Sequence, residues 1–406
     1  MKRARILLVK PVLPYPPDQG TKIVSTALID ALAPAHDVTV LARLLGRDEE
    51  VHVHELEKRC ARVVAVIPRN RASLAARGFY KAGYVARSLT TGRSLKSLYD
   101  CPGATMRAAR ALASEKFDLV IVEYWQMYPL LDVFPRDRTV LLTHDIDARV
   151  YEARARIERD LGSRLRAQTT WRVEAGEERR AYERAPRVWA LTHADADTVA
   201  TIAGRRADVL PFGLGAEAFI DEPVTRASRE VLLVGAMGAV FNRDAVGHFV
   251  RDIHPALASI PGIRFTLVGG ALPREVAGFA GVPGVEIPGH ARDIAPYLAR
   301  AACLVVPLRF AGGIRIRILY AMAAGLPVVC SPVAVAGMGF EAGRHVLVAS
   351  SPSEYRLHIA RLLEDPDFAL AIARAARERV WKAHGPQTRG FELRAFVERA
   401  MAERAS

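Results

Sequence analysis

The chain has 406 residues, more than one ordinary hydrophobic core accommodates, so two or three domains are expected. Half of the residues are hydrophobic and a quarter are charged, which excludes a disordered chain, and no apolar run is long enough to span a bilayer. Lys and Arg number 57 against 44 Asp and Glu, and the net +13 favours anionic partners such as nucleotide phosphates, a lipid phosphate, an anionic membrane or nucleic acid, with arginines on solvated helix faces as the plainer account of much of it.

Residues 5–9 read as a buried parallel strand and 11–20 as a proline-rich loop closing on Gly20. Residues 21–33 place Ile23, Val24, Ala27, Leu28, Ala31 and Leu32 in one helical stripe, and 36–41 read as the next strand. That succession opens a doubly wound α/β domain. Residues 69–96 carry seven basic side chains and no acidic one, interleaved with Phe79, Tyr80 and Tyr84. The pattern suits an anionic membrane surface or a lipid-phosphate acceptor, or equally two short solvated helices, and no recognised nucleic-acid module surrounds it. Residues 117–127 form a strand running into a polar-aromatic loop with Glu123, and 139–146 form another with His144 and Asp145 at its end. Ligands of open α/β sheets bind outside the carboxyl ends of strands, so these three side chains sit where chemistry is expected. Residues 147–186 read as a charged, mostly solvated helical connection, with Glu152/Arg156 and Glu183/Arg187 at helical spacing.

Short strands at 187–191 and 207–210 precede a crossing at 211–215. A second series begins with a strand at 230–235 ending in Gly235, a loop carrying Asn242, and a helix containing Asp244. Strands follow at 264–270 and 303–307, the latter after a helix at 294–302. Then come Gly312 and Gly313, a turn, and a helix opening with Arg315 and Arg317, whose apolar face carries Ile314, Ile318, Ala321 and Met322. A strand, a Gly-Gly turn and a basic helix start outline an anion site. Gly325 and Pro327 end the helix, and residues 354–402 read as helical with a break near Gly385 and Pro386. The four cysteines form no Cys-x-x-Cys pair, which argues against structural zinc and fits a reducing cytosol. The apolar run at 6–9 is too short for a signal-peptide core.

The stretch from Gly312 to Ala323 resembles the Gly-Gly-Thr-Arg-Leu-Lys-Ile-Leu-Glu-Ala-Met-Ala segment of retaining GT-B glycosyltransferases, in a large branch that includes many bacterial cell-envelope enzymes. Tyr320 departs from it, standing where the family carries a glutamate that holds the ribose hydroxyls. Other segments are similar too: Val122-Glu123-Tyr124 with Gln126-Met127, His144-Asp145-Ile146 behind Thr143 in place of a glutamate, and Asn242 with Asp244-Ala245-Val246. The resemblance implies α/β architecture with two Rossmann-like doubly wound domains facing a central cleft. Residues 1–212 would form the acceptor-side domain, 213–385 the donor domain, and 386–406 a helix returning to the first.

It also implies transfer of a sugar from a nucleotide-sugar to an acceptor hydroxyl with retention, in cell-envelope glycan, glycolipid or natural-product synthesis. His144, Glu123 and Asp145 would be catalytic. Gly20, Gly235, Asn242, Gly312, Gly313, Arg315, Arg317 and Tyr320 would bind the donor. No metal or other cofactor is expected, nor nucleic acid. The acceptor would be a glycan, a lipid-linked sugar or a small molecule, and the location cytoplasmic or peripheral on the inner membrane face, with 69–96 as the contact. Tyr320 keeps open a degenerate, non-catalytic partner protein, because one phenol cannot match a carboxylate's grip on two hydroxyls. A nucleotide-sugar epimerase or hydrolase is a third reading.

Overall fold

A computed structural model describes residues 3–67, 88, 90–158, 160–220, 228–270, 272–291 and 293–403. Most of the 69–96 segment lies outside them. The chain divides into two units, one of residues 1–212 with 312–314 and 390–406, the other of residues 213–311 and 315–389.

The first unit is built on seven strands: β1 Arg5–Lys10, β2 Asp37–Arg43, β3 Arg62–Val66, β4 Leu119–Glu123, β5 Thr139–Leu142, β6 Val188–Ala190 and β7 Asp208–Val209. They are all parallel, in the order β3-β2-β1-β4-β5-β6-β7. β1 and β4 are nearly continuous apolar runs because a parallel sheet with helices on its faces buries both sides of each strand. Val9 pairs with Leu41 on one side and Val122 on the other. The strand order therefore reverses between β1 and β4, and Lys10 and Glu123 end these two strands at that switch point.

The helix after β1 is Gly20–Leu32, so Gly20 is its first residue rather than the end of the preceding loop. The charged connection forms two helices, Asp147–Ile157 and Leu161–Arg184. It is less solvated than the sequence suggests. Glu174, Glu177 and Glu178 are buried, because they share a face with Ala181 and Tyr182 that packs inward. Arg156 and Glu152 pair at 2.6 Å as their spacing predicts. Arg187 lies beyond the helix end and pairs instead with Glu403, while Glu183 takes Arg179.

The second unit holds six parallel strands: β8 Glu230–Val234, β9 Arg264–Val268, β10 Val285–Gly289, β11 Cys303–Val306, β12 Val328–Cys330 and β13 Leu347–Val348. Their order is β10-β9-β8-β11-β12-β13, so this sheet reverses between β8 and β11. Its core gathers Phe249, Phe265, Leu267, Val305, Val329 and Ile359. The helix after the Gly-Gly turn begins at Ile316, one residue later than expected, because Arg315 adopts a non-helical φ of −86° and ψ of 75° at its start. The C-terminal region is broken twice, at Asp365 and after His384, giving Pro352–Glu364, Pro366–His384 and Leu393–Ala402. The additional break falls where the Asp365 side chain accepts from the N–H of Phe368 and caps the helix that Pro366 opens.

Candidate functional site

At the switch point of the first sheet, four polar side chains meet out of contact with solvent: Lys10, Ser25, Glu123 and His144. Glu123 Oε2 accepts from Lys10 Nζ at 2.8 Å, Ser25 Oγ at 2.6 Å and His144 Nε2 at 2.7 Å. Lys10 also donates to Ser25 Oγ at 2.5 Å and to the Thr21 carbonyl at 3.0 Å. Burial alone would push the Glu123 carboxyl up, but Lys10 and the His144 ring outweigh that and hold it at about 2. Burial and the charge of Lys10 together press the His144 imidazole below its ordinary value, against the pull of Glu123.

Tyr124 stacks on His144 with ring centroids 4.6 Å apart, and Lys10 Nζ lies 5.1 Å from the centroid of the same tyrosine ring. Tyr124 has φ of 72°, a left-handed backbone that a bulky residue adopts only when its surroundings compel it. Here its N–H still bonds Leu142 O of the neighbouring strand at 2.8 Å while its ring turns back onto His144. Two buried polar atoms of the cluster, Glu123 Oε1 and His144 Nδ1, have no hydrogen-bond partner among the described residues. A buried acceptor without a donor is costly, and donors such as sugar hydroxyls suit such atoms. Asp145 is half-buried beside the cluster, and its charge reaches the Tyr124 phenol.

A second buried network, absent from the sequence reading, adjoins it through Thr143. Thr143 Oγ1 donates to Asp145 O at 2.9 Å and meets the Tyr182 hydroxyl at 2.9 Å. Tyr182 reaches Glu178 Oε1 at 2.6 Å, and Glu178 accepts from the N–H groups of Asp147 and Ala148, capping the helix Asp147–Ile157 from its neighbour. Asp147 in turn accepts from Lys96, Trp125 and Gln126. Burial, aided by the Asp147 charge, pushes Glu178 to about 8. The sequence signal for this network was Thr143 itself, a small hydroxyl at a position where the resemblance placed a glutamate. Arg93 and Lys96, the described basic residues of the 69–96 segment, pair inward with Glu177 and Asp147.

In the second unit, a narrow cleft at its own switch point is lined by Gly235, Met237, Asn242, Val306, Pro307 and Arg317. Arg317 Nη1 donates to Val234 O at 2.5 Å and Nη2 to Asn242 Oδ1 at 2.7 Å, while Asn242 Nδ2 donates to Ala236 O at 2.8 Å. A Cβ at Gly235 would lie 2.7 Å from Arg317 Nη1 and 2.9 Å from Asn242 Cγ, so a larger residue would displace these side chains. Burial and the neighbouring Arg315 charge lower the Arg317 guanidinium to about 10, still protonated near neutral pH.

Arg315 points elsewhere, donating to Ala334 O at 2.8 Å and Ala336 O at 2.6 Å. Gly313 takes a positive φ of 63°, as a tight turn before the helix demands. Tyr320 is half-buried on that helix, and burial raises its phenol where the charges of Arg389 and Glu217 reach it. Among the described residues no group of three or more His, Cys, Asp or Glu is placed to hold a metal ion. No helix among them is long and apolar enough to cross a membrane.

Residues 228–365, the bulk of the second unit, match the family model described as Glycosyl transferases group 1. This segment is thus similar to a group 1 glycosyltransferase domain. The two sheets and their flanking helices make the whole chain a GT-B fold. In fold it is similar to sucrose-phosphate synthase from Thermosynechococcus elongatus, with 18% identity, a TM-score of 0.75, and 99% of this chain and 100% of that one covered. It is similar to HepE of Anabaena in complex with UDP and glucose, with 15% identity, a TM-score of 0.66 and coverage of 99% and 100%. TarM gives 9% identity, a TM-score of 0.68 and coverage of 99% of each chain. Comparison with curated protein sequences gives no match.

Proposed function

We propose that this chain is a group 1 glycosyltransferase that moves a sugar from a nucleoside-diphosphate donor to an acceptor hydroxyl with retention, in the synthesis of an envelope glycan or glycolipid. The observation that carries the reading is the coincidence of the family match with the second unit's switch point, where Arg317 and Asn242 line a cleft. HepE, a neighbour in fold, is bound to UDP and to UDP-glucose in its structures, which supports a nucleotide-sugar as the donor class. The chemical demand is to stabilise a departing diphosphate, and preorganised positive charge and N–H donors do this best. Arg317 and the amides of the Gly312-Gly313 turn would serve that end, with no role assigned to a metal. Arg315, fixed to three carbonyls of the 333–336 segment, would shape the turn rather than contact phosphate. In the first unit, His144 and Glu123 present lone pairs suited to sugar hydroxyls, with Asp145 beside them.

Calorimetric titration of the purified chain with UDP, GDP and ADP, each with and without an attached sugar, tests the reading. One nucleotide is expected to bind selectively, and its sugar-bearing form to be consumed when an acceptor is present. Failure of a folded protein to bind any of them overturns it in favour of a non-catalytic partner protein, the alternative that Tyr320 suggests.

A further inference from the structure

The strand β1 ends in a lysine whose side chain is wholly buried, an arrangement that fold alone does not require. An ammonium group has three N–H donors and no acceptor. Lys10 directs them at Thr21 O, Ser25 Oγ and Glu123 Oε2, at 3.0, 2.5 and 2.8 Å. All three targets are acceptors, so the site fits the charged ammonium and would set a neutral amine's lone pair against another lone pair. An ionised Glu123 only accepts, so the 2.7 Å contact to His144 places a hydrogen on Nε2. What remains open is Nδ1: a lone pair if the ring is neutral, a second N–H if it is imidazolium.

Charge decides between these. A buried carboxylate with an imidazole as its sole partner draws a proton onto the ring, because the ion pair so formed is neutral overall. Here Lys10 already balances Glu123, and a second cation beside the same oxygen would be uncompensated. The other ionisable groups around the cluster do not restore the balance. Lys22, whose charge reaches Lys10, is paired with Asp18 at 3.1 Å. Lys96 is paired with Asp147, Asp145 acts on the Tyr124 phenol, and the charges that bear on the His144 ring are those of Lys10 and Glu123. We propose that Lys10 is a positioning residue that keeps His144 a neutral imidazole, with hydrogen on Nε2 and Nδ1 as a buried hydrogen-bond acceptor. In the glycosyltransferase reading, on which only this consequence rests, the acceptor serves a hydroxyl of the bound sugar.

The test is long-range ¹H–¹⁵N correlation spectroscopy of the full chain labelled at histidine nitrogens, recorded from pH 5.5 to 8.5 and assigned with His144→Gln. Wild type is expected to show the neutral Nε2–H form of His144 at pH 7. Lys10→Met is expected to show imidazolium at pH 7, its titration midpoint raised by about one unit or more. Ser25→Ala, which keeps the charges, is expected to stay neutral, and so is Lys10→Met/Glu123→Gln, which removes both. An imidazolium or an Nδ1–H tautomer in wild type overturns the proposal. So does a folded Lys10→Met protein whose His144 titrates as in wild type. The wild-type spectrum decides even if Lys10→Met fails to fold. Absence of nucleotide binding would defeat the transferase reading and leave the spectra untouched.

Discussion

Arg315 and Arg317 are two residues apart, but Arg315 precedes the helix with a non-helical backbone and Arg317 lies in its first turn, and the two guanidinium groups reach different surroundings. Arg317 lines the cleft of the second unit, whereas Arg315 binds carbonyl oxygens 18 to 21 residues further along the chain. Arg317→Ala is expected to weaken nucleotide binding about 10- to 100-fold, the loss of one charged hydrogen bond of about 1.5–3 kcal/mol, with little loss of helicity. Arg315→Ala is expected to lower stability by about 1–3 kcal/mol, since it strands the carbonyl of the buried Ala334, and to affect affinity through folding alone. Calorimetry and denaturant unfolding of both variants check the split, and equal effects on both quantities would refute it. The sequence made the Gly-Gly turn and its arginines visible as a motif. It did not show their division of labour, because the partners of Arg315 belong to a later loop. His144 and Glu123 were legible as strand-end residues, but Lys10 lies 113 positions from Glu123, and no spacing rule connects them.

Among the elements, the helix Asp147–Ile157 depends on a cap from outside itself. Its first N–H groups bond Glu178, a residue of the following helix. Two hydroxyl hydrogens, on Thr143 and Tyr182, serve three contacts along the line Asp145 O, Thr143, Tyr182, Glu178. A protonated Glu178 supplies the third hydrogen and completes the chain. Its value of about 8 in the folded state lies above the ordinary 4.5, so the folded protein holds this proton more tightly than the unfolded one. Stability from this group is therefore full below about pH 4.5 and declines until pH passes about 8. Glu178→Gln cannot ionise and is expected to flatten that decline, while its amide nitrogen faces one of the two helix N–H groups that the carboxyl accepts and lowers stability at pH 6 by about 1–3 kcal/mol. Urea unfolding at pH 6 and pH 8.5 measures it; an unchanged pH slope would show that Glu178 is ionised in the fold. Sequence periodicity marked this region as helical but mistook it for solvated. The buried carboxylates gain their partners from Ser94, Asp147 and Ala148, on segments far from them in sequence.

At the scale of the molecule, each unit has its own parallel sheet, switch point and core. Alternation of apolar strands with helical stripes made this plan readable, because buried parallel strands leave short apolar runs, rich in Val, Ile and Leu and bounded by turn residues. The first unit is discontinuous in sequence. It includes the helix Leu393–Ala402, where Phe396 packs on Trp189 at 5.1 Å, Glu398 meets His36 at 3.1 Å, and Leu393 and Val397 are buried. A chain ended after Arg389 is expected to lose several kcal/mol from the first unit alone, at about 1.5–3 kcal/mol for each large apolar side chain removed from its burial. Thermal unfolding followed by calorimetry and Trp189 fluorescence checks this. A transition shifted in both units to the same degree, or in neither, would refute it.

That late helix bears on how the protein is born. Residues 1–212 leave the ribosome early, yet Trp189 and His36 stay uncovered until residue 402 has emerged, about 190 residues later. At about 5–20 residues per second the wait is roughly 10–40 s. During it the nascent first unit leaves bare the apolar surface that Leu393, Phe396 and Val397 later cover, and a ribosome that stalls near residue 390 leaves it open to folding helpers and proteases.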